Sequence, residues 1–347
     1  MKTANDYALL SKYRKLLMGF AALWIFVLHE WVLVFDVPDQ LTIEAFIKRI
    51  GFCGVDIFFF LSALGLHFSV KSHSTLSFYY RRIRRLAIPF LAVALLRCVV
   101  EGWTAWEFVG NVSGFNFYTK GIYILLWFVP AIATLYLLFP LYHRLFSRAK
   151  NKVAFTAIVL AIWLLESRAL IGVMREDLYD FTNRIPIFCV GCLFGYLSEQ
   201  EERRLSPKAW AALGLMLMVG VILSYLTNYR DMPLLVPTPN CCVPNFLMTI
   251  SLCMLFSKGL DLLTKVSWLK PLIAGLGKFL SFFGAISLEF YCVQEWLGDQ
   301  LKPLLTPRFG PLTINLFLFI SITASGLALF EIQKGAWKLM DRSTAKP

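Results

Sequence analysis

A histidine and a carboxylate at similar depth on neighbouring antiparallel helices make a general-base pair, and His29 with Asp56 form such a combination. His29 lies 13 residues beyond Leu16, where an apolar run begins, a rise of about 20 Å at 1.5 Å per residue. Asp56 lies six residues into the next run, which starts at Ile50 and returns the other way, placing it about 9 Å below the same surface. In such a pair the carboxylate fixes the imidazole tautomer and stabilises the imidazolium, while the second ring nitrogen takes a proton from a hydroxyl. A helix-packing hydrogen bond is the alternative reading of the same two residues. Glu289 sits in the middle of a later apolar run with Glu295 six residues on. A carboxylate at that depth needs a partner or a proton, so a structural salt bridge and a catalytic or relay role both stand.

A second kind of chemistry is suggested by Tyr79-Tyr80-Arg81-Arg82-Ile83-Arg84-Arg85-Leu86, which closes on Pro89. Guanidinium groups bind phosphate in bidentate fashion and aromatic rings stack on bases, which suits a nucleotide-bearing donor. Positive-inside anchoring explains the same arginines without a ligand. Cys189-Val190-Gly191-Cys192 has CxxC spacing but lies in an apolar run without a second pair, so no metal or redox centre is expected there. His67 and His73, at the end of one run, and His143, at the end of another, are expected at the membrane interface. No glycine-rich phosphate loop, HExxH or Gly-x-Ser-x-Gly elbow occurs.

The elements that must position these groups follow from hydropathy. Of the 347 residues 58% are hydrophobic and only 16% charged, with a mean hydropathy of +0.64, outside the range of soluble, disordered or collagenous chains. Apolar runs predict an all-α polytopic integral membrane protein of about ten transmembrane helices: Leu16 to Phe35, Ile50 to Val70, Leu86 to Val100, Gly121 to Leu141, Val153 to Ile171, Ile185 to Leu197, Ala209 to Leu226, Val243 to Phe256, Leu280 to Leu297 and Leu312 to Phe330. The first run lacks a cleavage pattern and reads as a retained span. Alternating topology with the N-terminus inside places 24 Lys and Arg in inner segments and 7 in outer loops, with Arg97, Arg168 and Arg184 at span edges. That asymmetry predicts both termini in the cytoplasm of a multi-pass inner-membrane protein. It also assigns the net charge of +12 to contact with anionic lipid rather than nucleic acid. A single membrane domain over 1–347 with short cytoplasmic tails at 1–15 and 332–347 is expected. The loop around Pro233, Pro237, Pro239 and Pro244 is expected to be irregular, and the eight scattered Cys form no disulfide framework.

Taken in order, these segments resemble the membrane acyltransferase family 3. Met18-Gly19-Phe20-Ala21-Ala22-Leu23-Trp24-Ile25-Phe26-Val27-Leu28-His29 is similar to the first-span motif ending in the family's essential His, and Gly54-Val55-Asp56-Ile57-Phe58-Phe59-Phe60-Leu61-Ser62-Ala63 to the second-span motif, with Ser-Ala for its usual Ser-Gly. The arginine stretch up to Pro89 resembles the following Arg-Arg-x-x-Arg loop. Leu126-Trp127-Phe128-Val129-Pro130, Arg184-Ile185-Pro186-Ile187-Phe188 with Gly191 and Gly195, and Ser287-Leu288-Glu289-Phe290-Tyr291 fill later positions.

The resemblance implies transfer of an acyl group, usually acetyl, from a cytoplasmic acyl-CoA to a hydroxyl of an envelope polysaccharide or lipid-linked sugar. It implies no tightly bound cofactor, since acyl-CoA is the donor co-substrate. His29, Asp56 and Glu289 are then the catalytic candidates; Arg81, Arg82, Arg84, Arg85 and Tyr80 the donor-binding ones; and Arg14, Ser62, Trp127, Arg184 and Gln294 the substrate-binding ones. Two positions depart from the family pattern. Met18 stands where many members carry Arg, with Arg14 one turn away, and Gln294 stands where the late Tyr-x-x-His motif has His. A glycan-precursor flippase and an inactive membrane partner are the rival functions, and a homodimer is left open.

Overall fold

A computed structural model describes residues 5–36, 41–120, 126–169, 178–229 and 242–344. Every regular element among these residues is helical, as expected where backbone groups must be satisfied within their own segment. In chain order the helices are α1 (Ala8–His29), α2 (Ile43–Arg49), α3 (Cys53–Ser72), α4 (Thr75–Glu101), α5 (Ala105–Val112), α6 (Phe115–Lys120), α7 (Phe128–Arg148) and α8 (Lys152–Ala169). They continue as α9 (Tyr179–Thr182), α10 (Ile185–Glu199), α11 (Pro207–Tyr229), α12 (Cys242–Leu263), α13 (Lys270–Ala285), α14 (Ser287–Leu305) and α15 (Pro311–Thr344).

Five segments are long and apolar enough to cross a membrane: Ile43–Ser72, Phe128–Arg148, Pro207–Tyr229, Cys242–Leu263 and Pro311–Asp341, or six if Ser267–Ala285 and Ser287–Leu305 count as one span. Helices α1, α4, α8 and α10 occupy other expected spans. Lys12, Arg14 and Lys15 charge the first turns of α1, four arginines those of α4, and α10 has only 15 residues. Three features add detail to the expected segments. The run Leu280 to Leu297 is two helices, interrupted at Ile286, whose φ of −100° and ψ of 13° break the hydrogen-bond ladder. The stretch expected as a short tail from 332 carries the end of α15, which runs to Thr344. Helix α1 begins at Ala8, within the expected N-terminal tail, where the Asn5 side chain accepts from the backbone N–H of Tyr7 at 2.8 Å. Pro233, Pro237 and Pro239 lie outside the described residues, while Pro244 sits in the first turn of α12, where its missing N–H is not needed.

The chain divides into two compact units: the first comprises Met1–Trp24, Arg49–Thr75 and Leu138–Ala285, the second Ile25–Lys48, Leu76–Leu137 and Ile286–Pro347. The first unit is built on α3, buried on nearly every face and packed against α10 and α12. Glycine permits the closest of these approaches. A Cβ at Gly191 would collide with the Phe60 carbonyl oxygen, and one at Gly195 would meet the Leu64 carbonyl at 3.0 Å and the His67 Cβ at 2.8 Å. Small residues four apart are what bring helix backbones together where lipid offers no hydrophobic drive. Because the obstacle at Gly191 is backbone, Gly191→Val is expected to destabilise the protein by about 1–3 kcal/mol or more, visible as a lowered melting temperature in detergent; an unchanged melt would refute the close crossing.

In the second unit α14 packs on α15, and α5 on α6. Phe26 packs against Phe290 and Phe319 at ring-centroid distances of 5.9 and 5.6 Å. Thr104-x-x-Glu107 caps α5 reciprocally, each side chain bonding the other's backbone N–H.

Candidate functional site

His29 is the last residue of α1 and belongs to the second unit. Its carbonyl, left without an intrahelical donor, accepts from Lys302 Nζ of α14 at 2.7 Å. The Lys302 ammonium also pairs at 3.0 Å with Glu30, a carboxylate only 1% exposed. Gly298 on α14 admits that carboxylate: a Cβ there would collide with Glu30 Oε2. Beyond Glu30 the chain leaves the helix, and its polar groups are taken up by side chains, Lys48 donating to the Trp31 carbonyl. Glu44 of α2 accepts from Trp31 Nε1 at 2.6 Å and from the backbone N–H groups of Val34 and Phe35. Asn315 of α15 accepts from the Val32 N–H and donates to the Val32 carbonyl, both at 2.7 Å. The helix end carrying His29 is therefore fixed from three directions.

The imidazole is 29% exposed, and its Nδ1 lies 3.7 Å from Oε1 of Glu295 on α14. At that separation the attraction is electrostatic rather than a direct hydrogen bond. A proton on Nδ1, facing the carboxylate, leaves Nε2 as the basic nitrogen.

Asp56 belongs to the first unit, where it is 3% exposed. Its Oδ2 lies 3.7 Å from Arg184 Nε and accepts from Asn245 Nδ2 at 3.3 Å. Arg184, 1% exposed, also donates through Nη1 to the Asp180 carbonyl at 2.8 Å. Two residues flagged separately in the sequence are thus brought together as a buried ion pair. His29 and Asp56 fall in different units, and each has a charged partner inside its own.

Of the other catalytic candidates, Glu289 is fully buried in the second unit and bound by both terminal nitrogens of Arg85, Nη2 to Oε2 at 3.1 Å. Arg85 Nη1 donates also to Gln333 Oε1 at 2.6 Å, and Gln333 returns a bond to the Arg85 carbonyl. Arg84 is held in bidentate fashion by Asp341 at 2.6 and 2.9 Å and lies over the Trp337 ring. Arg82 lies over Phe78, while Arg81 and Tyr80 are exposed. Arg14 donates to the Leu61 carbonyl at 3.0 Å, its guanidinium resting on Gly65 of α3. Ser62 is buried on α3. Trp127 follows Leu126, whose φ of 37° is left-handed; such a conformation in a non-glycine residue stores about 1–3 kcal/mol and gathers at functional turns. Gln294 is fully buried, and neither its Nε2 nor its Oε1 has a hydrogen-bond partner.

His67 and His143, expected at the interface, are buried in the first unit and bonded to each other, His143 Nε2 to His67 Nδ1 at 3.1 Å. His67 Nε2 reaches Glu199 Oε2 at 3.0 Å, which also accepts from Lys71 at 2.7 Å. Glu199 lies beyond the apolar run that ends at Leu197. Burial works to raise its carboxyl pKa, but the bonds from Lys71 and His67 outweigh this and hold it below its ordinary 4.5. A carboxyl so depressed stabilises the fold above about pH 4.5 and loses that contribution as pH falls through its folded value. Wild type is accordingly expected to lose melting temperature between about pH 5 and 3 more steeply than Glu199→Gln; parallel pH profiles would count against the pairing.

Residues 15–331 match the family model of the acyltransferase domain. No curated protein and no solved structure matches the chain.

Proposed function

Because the chain belongs to the membrane acyltransferase 3 family over nearly all its length, we propose that it is a membrane-bound O-acyltransferase that moves an acyl group, preferentially acetyl, from cytoplasmic acyl-CoA to a hydroxyl of an envelope polysaccharide or lipid-linked sugar. The observation that carries this reading is His29, held at the end of α1 by Lys302, with Glu295 facing Nδ1 and a partly exposed imidazole. In the proposed reaction Nε2 takes the acceptor hydroxyl proton as the oxygen attacks the thioester carbonyl, and returns it to the departing sulfur. Glu295, rather than Asp56, supplies the carboxylate that stabilises the imidazolium, and Asp56 serves the buried pair with Arg184.

The donor phosphates are assigned to the basic stretch of α4. Arg84 and Arg85 carry acidic partners, and exposed Arg81 and Tyr80, with Arg82 on the same stretch, are the contacts proposed for the phosphates and adenine. Glu289 acts as the counter-ion that positions Arg85. Arg14, Ser62 and Arg184, and separately Trp127, are proposed as substrate contacts. The topology proposed is ten spans in the inner membrane with both termini cytoplasmic, on the 24-to-7 distribution of basic residues.

Purified protein incubated with labelled acetyl-CoA and an envelope glycan fraction tests the reading. Label on the glycan supports it; glycan transport without acylation supports a flippase, and neither outcome leaves an inactive partner, so both of the latter overturn it.

A further inference from the structure

Resting on that reading, we propose that Gln294 is the hydrogen-bond donor to the acyl carbonyl oxygen, holding the oxyanion as the acceptor oxygen adds to the thioester. Helix geometry places it there. At 100° per residue, Gln294, Glu295 and Gly298 fall within about 100° of arc on α14. Two of these are fixed by contact: Glu295 faces the His29 imidazole at 3.7 Å, and Gly298 lies against the Glu30 carboxylate. The arc is therefore the one turned toward the end of α1, and Gln294 adjoins Glu295 on it.

The second observation is the state of the amide. Gln294 is 0% exposed, yet both side-chain atoms lack a partner. A buried amide with nothing to bond is penalised in any fold, and the penalty is steeper in a membrane interior. Asn315 and Glu289 of this unit are bonded, whereas Trp296 Nε1 and Thr323 Oγ1 are buried without a partner as the Gln294 amide is; what sets Gln294 apart is its place on the arc that carries Glu295 and Gly298. An amide kept unbonded on the arc turned toward the end of α1 has the form of a preorganised donor, which stabilises charge that appears only during reaction.

The electron flow closes on these groups. The acceptor O–H proton moves to His29 Nε2 as the oxygen forms a bond to the acyl carbon. The carbonyl π pair moves to oxygen, where Gln294 Nε2–H meets it. Collapse re-forms the C=O bond and breaks C–S, and the sulfur leaves with the bonding pair and takes the proton from the imidazolium. The products are the ester and free CoA thiol.

Gln294→Met keeps the side-chain length and removes the amide; Gln294→Glu keeps the shape and replaces the donor with an acceptor. Both are expected to lower kcat about 10²–10³-fold with little change in KM for acetyl-CoA, while the melting temperature of Gln294→Met is equal to or above wild type because an unbonded polar group has been removed. A wild-type kcat in Gln294→Met beside an inactive His29→Gln overturns this inference alone, and wild-type rates in both overturn the underlying reading as well. A loss of activity that only tracks loss of folded protein in both variants also overturns it, since that marks a structural amide.

Discussion

His29→Gln and His29→Ala are expected to reduce acyl transfer about 10²–10⁴-fold while the protein inserts, purifies and melts near wild type. The magnitude is that of general-base catalysis, about 3–5 kcal/mol of barrier. The sparing of the fold follows from how the residue is held. What fixes the end of α1 is the His29 carbonyl bonded to Lys302, together with Glu44 and Asn315 on the segment that follows. Those bonds use backbone atoms, which either substitution preserves, and the side chain contributes one electrostatic contact at 3.7 Å. Glu295→Gln is expected to give a smaller loss, because an imidazole without its carboxylate is still a base. Transfer should rise with pH as the imidazole sheds its proton, and that limb should disappear in any residual activity of His29→Gln. Rates in micelles with labelled acetyl-CoA, normalised to folded protein, decide the matter. A variant lacking His29 that transfers at even a third of the wild-type rate is incompatible with the proposed role.

The sequence reads most reliably where chemistry and element coincide. A helix carrying His29, the arginines of α4 and the in-span placement of Asp56 and Glu289 can be anticipated from apolar runs interrupted by ionisable residues; the end of α1 at His29, short of the expected Phe35, and the burial of Arg184, expected at a span edge, cannot. Partnerships across helices are not legible in this way. Asp56 and Arg184 are 128 positions apart in the chain, and nothing in either local pattern says that α3 and α10 cross at Gly191. Glu295 stands out as an in-span carboxylate, but its facing His29 depends on the angular position of α14, and that depends on the interruption at Ile286. This break escapes a hydropathy reading because Ala, Ile and Leu continue the apolar run across it, and Gly284 and Ser287 are too few to mark a turn inside an apolar stretch. The pairing of His67 with His143 is illegible for a related reason. Each lies near a run's end, where exposure is the default, and only the packing of α3 against α7 and α10 within the first unit buries them as a pair. Glu44, Lys302 and Asn315 carry no special spacing and become functional only through the backbone groups they satisfy.

The buried Asp56–Arg184 pair has the largest expected effect on stability. Arg184→Met removes the cation and leaves a carboxylate that is 3% exposed with Asn245 as its remaining neutral donor; breaking one side of such a pair costs about 3–5 kcal/mol. Asp56→Asn leaves the guanidinium at 1% exposure, but Arg184 keeps Asp180 through its carbonyl and its carboxylate at 3.4 Å. That retained acceptor makes Asp56→Asn the milder change. The double variant Asp56→Leu with Arg184→Met removes both charges, and its stability should recover most of what Arg184→Met loses, since two buried ions give way to apolar groups of similar size. The coupling is read from a double-mutant cycle of melting temperatures in detergent, with a nonadditive interaction of at least about 1 kcal/mol expected for groups in contact. Additive losses, or an Arg184→Met protein that melts with wild type, would show that the two charges do not depend on each other. A double variant that is stable but transfers no acyl group would separate the pair's structural role from the substrate contact proposed for Arg184.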